Sequence, residues 1–143
     1  MIDVLALLTT QHEQIDDLIA KTAAPATRTA AFAELADVLT AHLALEQAVF
    51  YPAIDSLFCR DVMAEVLAEH CEIKRVLADL LWLDLDDVRF ARKLTTLAHL
   101  LDGHRGWQED RMFTSVAESV AVETRLALGK RMRAVLELEP LAA

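Results

Sequence analysis

The stretch His42-Leu43-Ala44-Leu45-Glu46-Gln47-Ala48-Val49-Phe50-Tyr51-Pro52 sets a histidine and a glutamate four residues apart among apolar neighbours. On a helix that spacing puts both side chains on one face, one turn apart. The same face carries Phe32, Leu35 and Leu39 before His42, and Val49 and Ala53 after Glu46. The threes and fours of this series predict an amphipathic helix from about Arg28 to Leu57, with Pro52 kinking or ending it nearby. A histidine and a glutamate on a core-facing stripe both need partners, because burying either one alone is costly.

The same periodicity recurs in three other segments. Leu5, Leu8, His12, Ile15 and Ile19 predict a first helix over about Ile2 to Lys21, closed by the Pro25 region. Met63, Val66, His70, Ile73, Leu77 and Leu80 predict a third over about Asp61 to Leu83, with Asp61 as N-cap. After the acidic turn Asp84-Leu85-Asp86-Asp87, a fourth begins near Val88 and carries Phe90, Leu94, Leu97, Leu101, His104 and Gln108. A shorter fifth, about Val122 to Leu138, carries Val122, Leu126, Met132, Val135 and Leu136 and is expected to pack on the bundle or on a partner chain. The expected fold is all-α: an up-down-up-down four-helix bundle over about residues 2–119 with a short C-terminal fifth helix, forming one domain over residues 1–143.

Composition agrees. The chain has 143 residues, 55% of them hydrophobic, with three glycines, three prolines and no asparagine, so turn formers are scarce and helix formers abundant. No apolar run reaches the roughly 20 residues of a membrane span, and no signal-peptide pattern opens the chain, so the expected location is the cytoplasm. A formal net charge of −9 disfavours nucleic acid as a partner. Cys59 and Cys71 lack metal-type spacing and are expected as free thiols.

Four of the five histidines, His12, His42, His70 and His104, lie on core stripes, one per helix. Their offsets along antiparallel helices differ by less than about two turns, so all four can meet near one level. A metal ion satisfies them together, with Glu46 as the accompanying carboxylate. Imidazole and carboxylate without thiolate suit iron best, with manganese or zinc as competitors. His99 falls off the stripe and is expected at the surface. Glu69 and Glu72 are expected to be solvated or to support His70, and Trp82 and Trp107 to serve packing.

An internal echo supports the reading: His104-Arg105-Gly106-Trp107-Gln108-Glu109-Asp110-Arg111-Met112-Phe113-Thr114 repeats the pattern of the opening stretch. Over about Ile2 to Ser119 the sequence resembles the hemerythrin-like domains, four-helix bundles that hold a non-haem di-iron site. The resemblance rests on a His on the first helix, a His-xxx-Glu followed by aromatic-Pro on the second, a His on the third, and a His followed by an acidic residue on the fourth. It implies His12, His42, His70 and His104 as nitrogen ligands and Glu46 as a bridging carboxylate, around two irons with oxo or carboxylate bridges. For the fourth-helix carboxylate it offers the fourth or fifth residue after His104. Gln108 is neutral, so Glu109 is favoured, with a local distortion that Gly103 and Gly106 would permit. Lys74 stands where oxygen carriers have a further His; it either extends to solvent or pairs with Glu46 or Glu109. Tyr51 is a candidate for an open metal position or for a hydrogen bond to a bound oxygen species.

These features imply a protein that binds or turns over O2, peroxide or nitric oxide, with a catalase-like activity as one form and a monomer or homodimer as the assembly. The alternatives are an iron- or oxygen-sensing binding module and a bundle with a degenerate site.

Overall fold

The computed structural model describes residues 1–138. The expected helices form, and their ends are set by local chemistry. Helix α1 spans Val4–Ala23, and the Asp3 carboxylate accepts from the Leu5 amide at 2.8 Å to cap it. Helix α2 spans Arg28–Leu45 and continues through a π-helical turn, Glu46–Phe50, into α3, Tyr51–Ile54, and a final 3-10 turn, Asp55–Leu57. Helix α4 spans Arg60–Trp82, one residue earlier than expected: Cys59, not Asp61, is its N-cap, and it makes no side-chain capping bond. Helix α5 spans Val88–Trp107, capped by Asp87, and runs through a second π turn, Gln108–Met112, into α6, Phe113–Ser119. Helix α7 spans Val122–Leu138.

Helices α1, α2, α4 and α5 run up-down-up-down, with α1 against α2, α4 against α5, and α1 also against α5. At the end where the α1–α2 and α4–α5 turns meet, Arg28 ties them together. Its guanidinium donates to the Thr22 and Ala23 carbonyls at the end of α1 and to the Leu85 carbonyl of the other turn. The apolar core falls into two clusters. One gathers Ile15, Leu35, Leu39, Ile73, Leu80, Phe90 and Leu97; the other gathers Leu8, Phe50, Ile54, Met112, Val116 and Met132. Apart from Thr22 at the end of α1, the buried polar groups lie on the same helices between these clusters.

The π turns change which residues face inward. On the second segment the regular count predicts Ala53 inside, but Ala53 is exposed, while Phe50, Tyr51 and Ile54 are buried. A π turn contains one extra residue, so every side chain beyond it is displaced by one position. The fifth helix packs on the bundle, with Met132 of the expected face inside and Leu126 half-buried, but the face is rotated. Leu128, Gly129 and Met132 are buried, whereas Val122, Val135 and Leu136 are exposed. Gly129 is there because a Cβ would fall on the Ile2 carbonyl, and Arg125 pairs with Asp3 at 3.0 Å. Trp82 is not a packing residue: it is 90% exposed at the end of α4. Trp107 does pack, against Phe58. Cys59 and Cys71 are exposed free thiols, and no described helix is long and apolar enough to cross a membrane.

Candidate metal centre

Each of the four long helices sends one histidine to a single level of the interior. His12, His42, His70 and His104 are all buried, and so are Glu46 and Gln108. Ring centroids fall into two close pairs, His12 with His42 at 4.9 Å and His70 with His104 at 5.0 Å. Glu46, fully buried at 0% exposure, stands between the pairs. Its Oε1 lies 3.1 Å from His42 Nε2, and its Oε2 lies 2.9 Å from His70 Nε2 and 3.2 Å from His104 Nε2. Ligand atoms of His12, His42, Glu46 and His104 all lie within 4.8 Å of one another.

The π turn after α2 completes the cluster. In an α-helix, residues five apart are about 140° apart around the axis. The wider turn brings the fifth residue nearly over the first, so the Tyr51 hydroxyl donates to Glu46 Oε2 at 2.9 Å and stands 3.1 Å from His70 Nε2. The second π turn opens at Gln108, whose Nε2 donates to Glu46 Oε1 at 2.6 Å and contacts the Tyr51 hydroxyl at 3.2 Å. No sequence period reveals these turns, although Pro52 and the continuous apolar run Val49-Phe50-Tyr51 mark the first. Gly103 and Gly106 are not its source in the second: both lie within regular α5, with open space where a Cβ would stand.

The remaining candidates lie at or outside the rim. Glu109 is set back from Glu46; its Oε1 is 3.8 Å from His12 Nδ1 and its Oε2 accepts from Arg105 Nε at 2.7 Å. Gln108 therefore stands in the buried position beside Glu46, and Glu109 does not. Arg105 also pairs with Asp16 of α1. Lys74 takes the outward alternative and donates to Gln47 Oε1 at 2.7 Å. Glu69, half-exposed, reaches His104 Nδ1 only to 3.8 Å, while Glu72 pairs with Arg75 at the surface. His99 is exposed. Gln11, which the periodicity leaves unmarked because it sits beside the stripe, is buried and bonded to His42.

Burial alone would lift the Glu46 pKa, but the surrounding histidines overcome it and hold the carboxyl well below its ordinary range. Burial and the neighbouring His42 press His12 down to about 4. Against burial, the hydrogen bond to Glu46 and the nearby Glu69 carboxylate raise His104 to about 9. Burial and the Glu46 charge push the Tyr51 hydroxyl far up, so it stays protonated.

The residues fit a metal. Around an ion with bonds of about 2.1 Å at right angles, neighbouring ligand atoms sit about 3.0 Å apart, which is the spacing of Glu46 from its three histidine nitrogens. Protein groups alone do not satisfy the cluster: both His12 nitrogens, His42 Nε2 and Gln108 Oε1 are buried without hydrogen-bond partners.

A four-helix bundle whose core joins histidines to one carboxylate in this way is a metal-binding helical bundle. The family model of the hemerythrin HHE cation binding domain matches residues 3–116, and the chain belongs to that family. Its fold is similar to that of a hemerythrin HHE cation binding domain-containing protein from Mycobacterium kansasii, with a TM-score of 0.83, 26% sequence identity, and coverage of 96% of this chain and 87% of that one. No curated protein matches the chain.

Proposed function

We propose that this bundle is a non-haem iron protein that holds two irons and binds or turns over a small oxidant or gas: O2, hydrogen peroxide or nitric oxide. The observation that carries the reading is the division of the histidines into two pairs on either side of Glu46, with Oε1 facing one pair and Oε2 the other. His12 and His42 would hold one ion and His70 and His104 the second, with Glu46 shared between them. Two irons supply two electrons as a unit, which suits peroxide reduction or disproportionation.

The chain's own groups prepare the site for this. Tyr51 keeps its proton at the hydroxyl oxygen, beside Glu46 and His70, and is the protic side chain available to an incoming oxygen species. Gln108 donates to Glu46 without adding charge, so among the buried groups of the centre Glu46 is the one carboxylate, and a metal held there would have room for an external ligand. Lys74 extends away, onto Gln47, and does not compete for the centre.

The test is metal analysis of protein expressed with added iron and purified without chelators, followed by peroxide-consumption and nitric oxide titration assays. About two irons per chain, visible-to-near-UV charge-transfer absorption and ligand-dependent spectral change support the reading. Absence of bound transition metal overturns it, and bound iron that responds to no oxidant or gas restricts the protein to storage or sensing.

A further inference from the structure

His42 enters the centre from α2, and its outer nitrogen is already engaged. Nδ1 lies 2.8 Å from Oε1 of Gln11, inside the bundle. A carbonyl oxygen only accepts, so Nδ1 is the nitrogen that carries hydrogen. The neutral ring then keeps its lone pair on Nε2, the atom that faces Glu46 Oε1 at 3.1 Å. Moving the hydrogen to Nε2 would leave the buried Gln11 carbonyl without a donor and set two acceptors against each other.

The other three rings lack an anchor of this kind. Nδ1 of His70, Nδ1 of His104 and both nitrogens of His12 make no hydrogen bond among the described residues. The carboxylates nearest to His104 and His12, Glu69 and Glu109, stand off at 3.8 Å, and their side chains are 45% and 23% exposed. Gln11 is 8% exposed and immediately precedes His12. One turn of α1 therefore delivers its own histidine to the centre and fixes the histidine of the neighbouring helix.

We propose that Gln11 is a positioning residue for the metal centre: it holds His42 in one ring orientation and one tautomer, making Nε2 the pre-set nitrogen of the site. This rests on the metal-centre reading above. A merely structural glutamine would satisfy its own buried amide and affect folding stability without altering how a metal is held.

The experiment uses cobalt(II) as probe, titrated into the full-length metal-free protein in competition with a chromophoric chelator. It compares the parent, Gln11→Leu and Gln11→Glu, reading cobalt affinity, the visible cobalt absorption bands and the melting temperature of the metal-free form. The leucine variant is expected to lose about 10- to 100-fold in affinity. The glutamate variant restores an acceptor, so it is expected to bind within a few-fold of the parent while shifting the bands, because a carboxylate makes the imidazole a stronger donor. A parent that binds cobalt alongside a leucine variant with parental affinity and bands overturns the role of Gln11 alone. If the leucine variant does not fold, unshifted bands or a large affinity loss in the glutamate variant overturn it equally. A parent that binds no cobalt overturns the metal-centre reading and this inference together.

Discussion

Gln108→Glu probes the centre most directly, because it changes charge at constant shape. In the parent, Gln108 Nε2 donates to Glu46 Oε1 at 2.6 Å, and both residues are 0% exposed. The substitution removes the donor and sets two carboxylates face to face. Two unit charges about 4 Å apart in an effective dielectric of about 20 repel by about 4 kcal/mol. The pair escapes by keeping a proton, which requires raising one carboxyl from about 4.3 to above 7, again about 4 kcal/mol at 1.36 per unit. At about 3 °C per kcal/mol for a chain of this size, the metal-free variant should melt about 12 °C below the metal-free parent at pH 7. A raised carboxyl pKa makes this penalty grow as pH climbs from about 4.3 to the folded-state value, so at pH 5 most of it should vanish. In the iron-loaded protein the added carboxylate meets metal charge and the loss should largely disappear, widening the gap between loaded and metal-free melting by about 10 °C. Thermal melts of both forms at pH 5 and 7, with iron stoichiometry, check this. An equal drop in both forms, or none in the metal-free form, would refute placing Gln108 at the metal.

Three further outcomes concern the other residues of the centre and the packing of α7. Glu46→Gln should remove most bound metal, while His99→Ala, which alters an exposed residue, should leave metal content unchanged; equal losses by metal analysis would contradict the face assignment. Metal-free protein should be most stable near pH 6.5. Burial first, and then His42, hold His12 at about 4, so the unfolded chain takes a proton that the fold refuses and stability falls from pH 6.5 to 4. Against burial, Glu46 and Glu69 lift His104 to about 9, so its contribution is full below 6.5 and lost by pH 9. Each flank amounts to about 3 kcal/mol, and urea midpoints that are flat or monotonic from pH 4 to 9 would exclude this balance. Gly129→Ala should destabilise by about 1–3 kcal/mol despite alanine's helix propensity, because the new methyl meets the Ile2 carbonyl; a rise in the urea midpoint would show that α7 does not pack there.

The buried faces are legible in the sequence where the helices are regular. The residues Val66, His70, Ile73, Leu77 and Leu80, and Phe90 through Gln108 at their stated spacing, are all buried. On α1 the true face is rotated slightly: Leu7, Gln11 and Leu18 are inside, and Leu5 and Ile19 lie half-buried at its edge. Counting by 3.6 fails beyond Glu46 and beyond Gln108, because a period assumes constant pitch and both turns widen there. That is why Tyr51 joins Glu46; Gln108 rather than Glu109 lies next to it because it is the fourth residue after His104, on the still regular end of α5, and the widening starts only there. Gln11 is unmarked in the sequence for another reason: a hydrogen bond between residues 11 and 42 has no periodic signature.

The two wide turns also bear on how chain length can vary here. Losing one residue within a regular helix rotates everything downstream by about 100° and scrambles its buried face. At these turns the arithmetic reverses. Without exposed Ala48, the buried Phe50 and Ile54 would fall back onto the unbroken three-four series that starts at His42, and Tyr51 would become the fourth residue after Glu46. Without exposed Asp110, Met112 and Val116 would do the same relative to His104, and Phe113 relative to Gln108. Each turn is thus a one-residue insertion lodged in an otherwise continuous helix, at a place where adding or dropping that residue preserves the phase of the core.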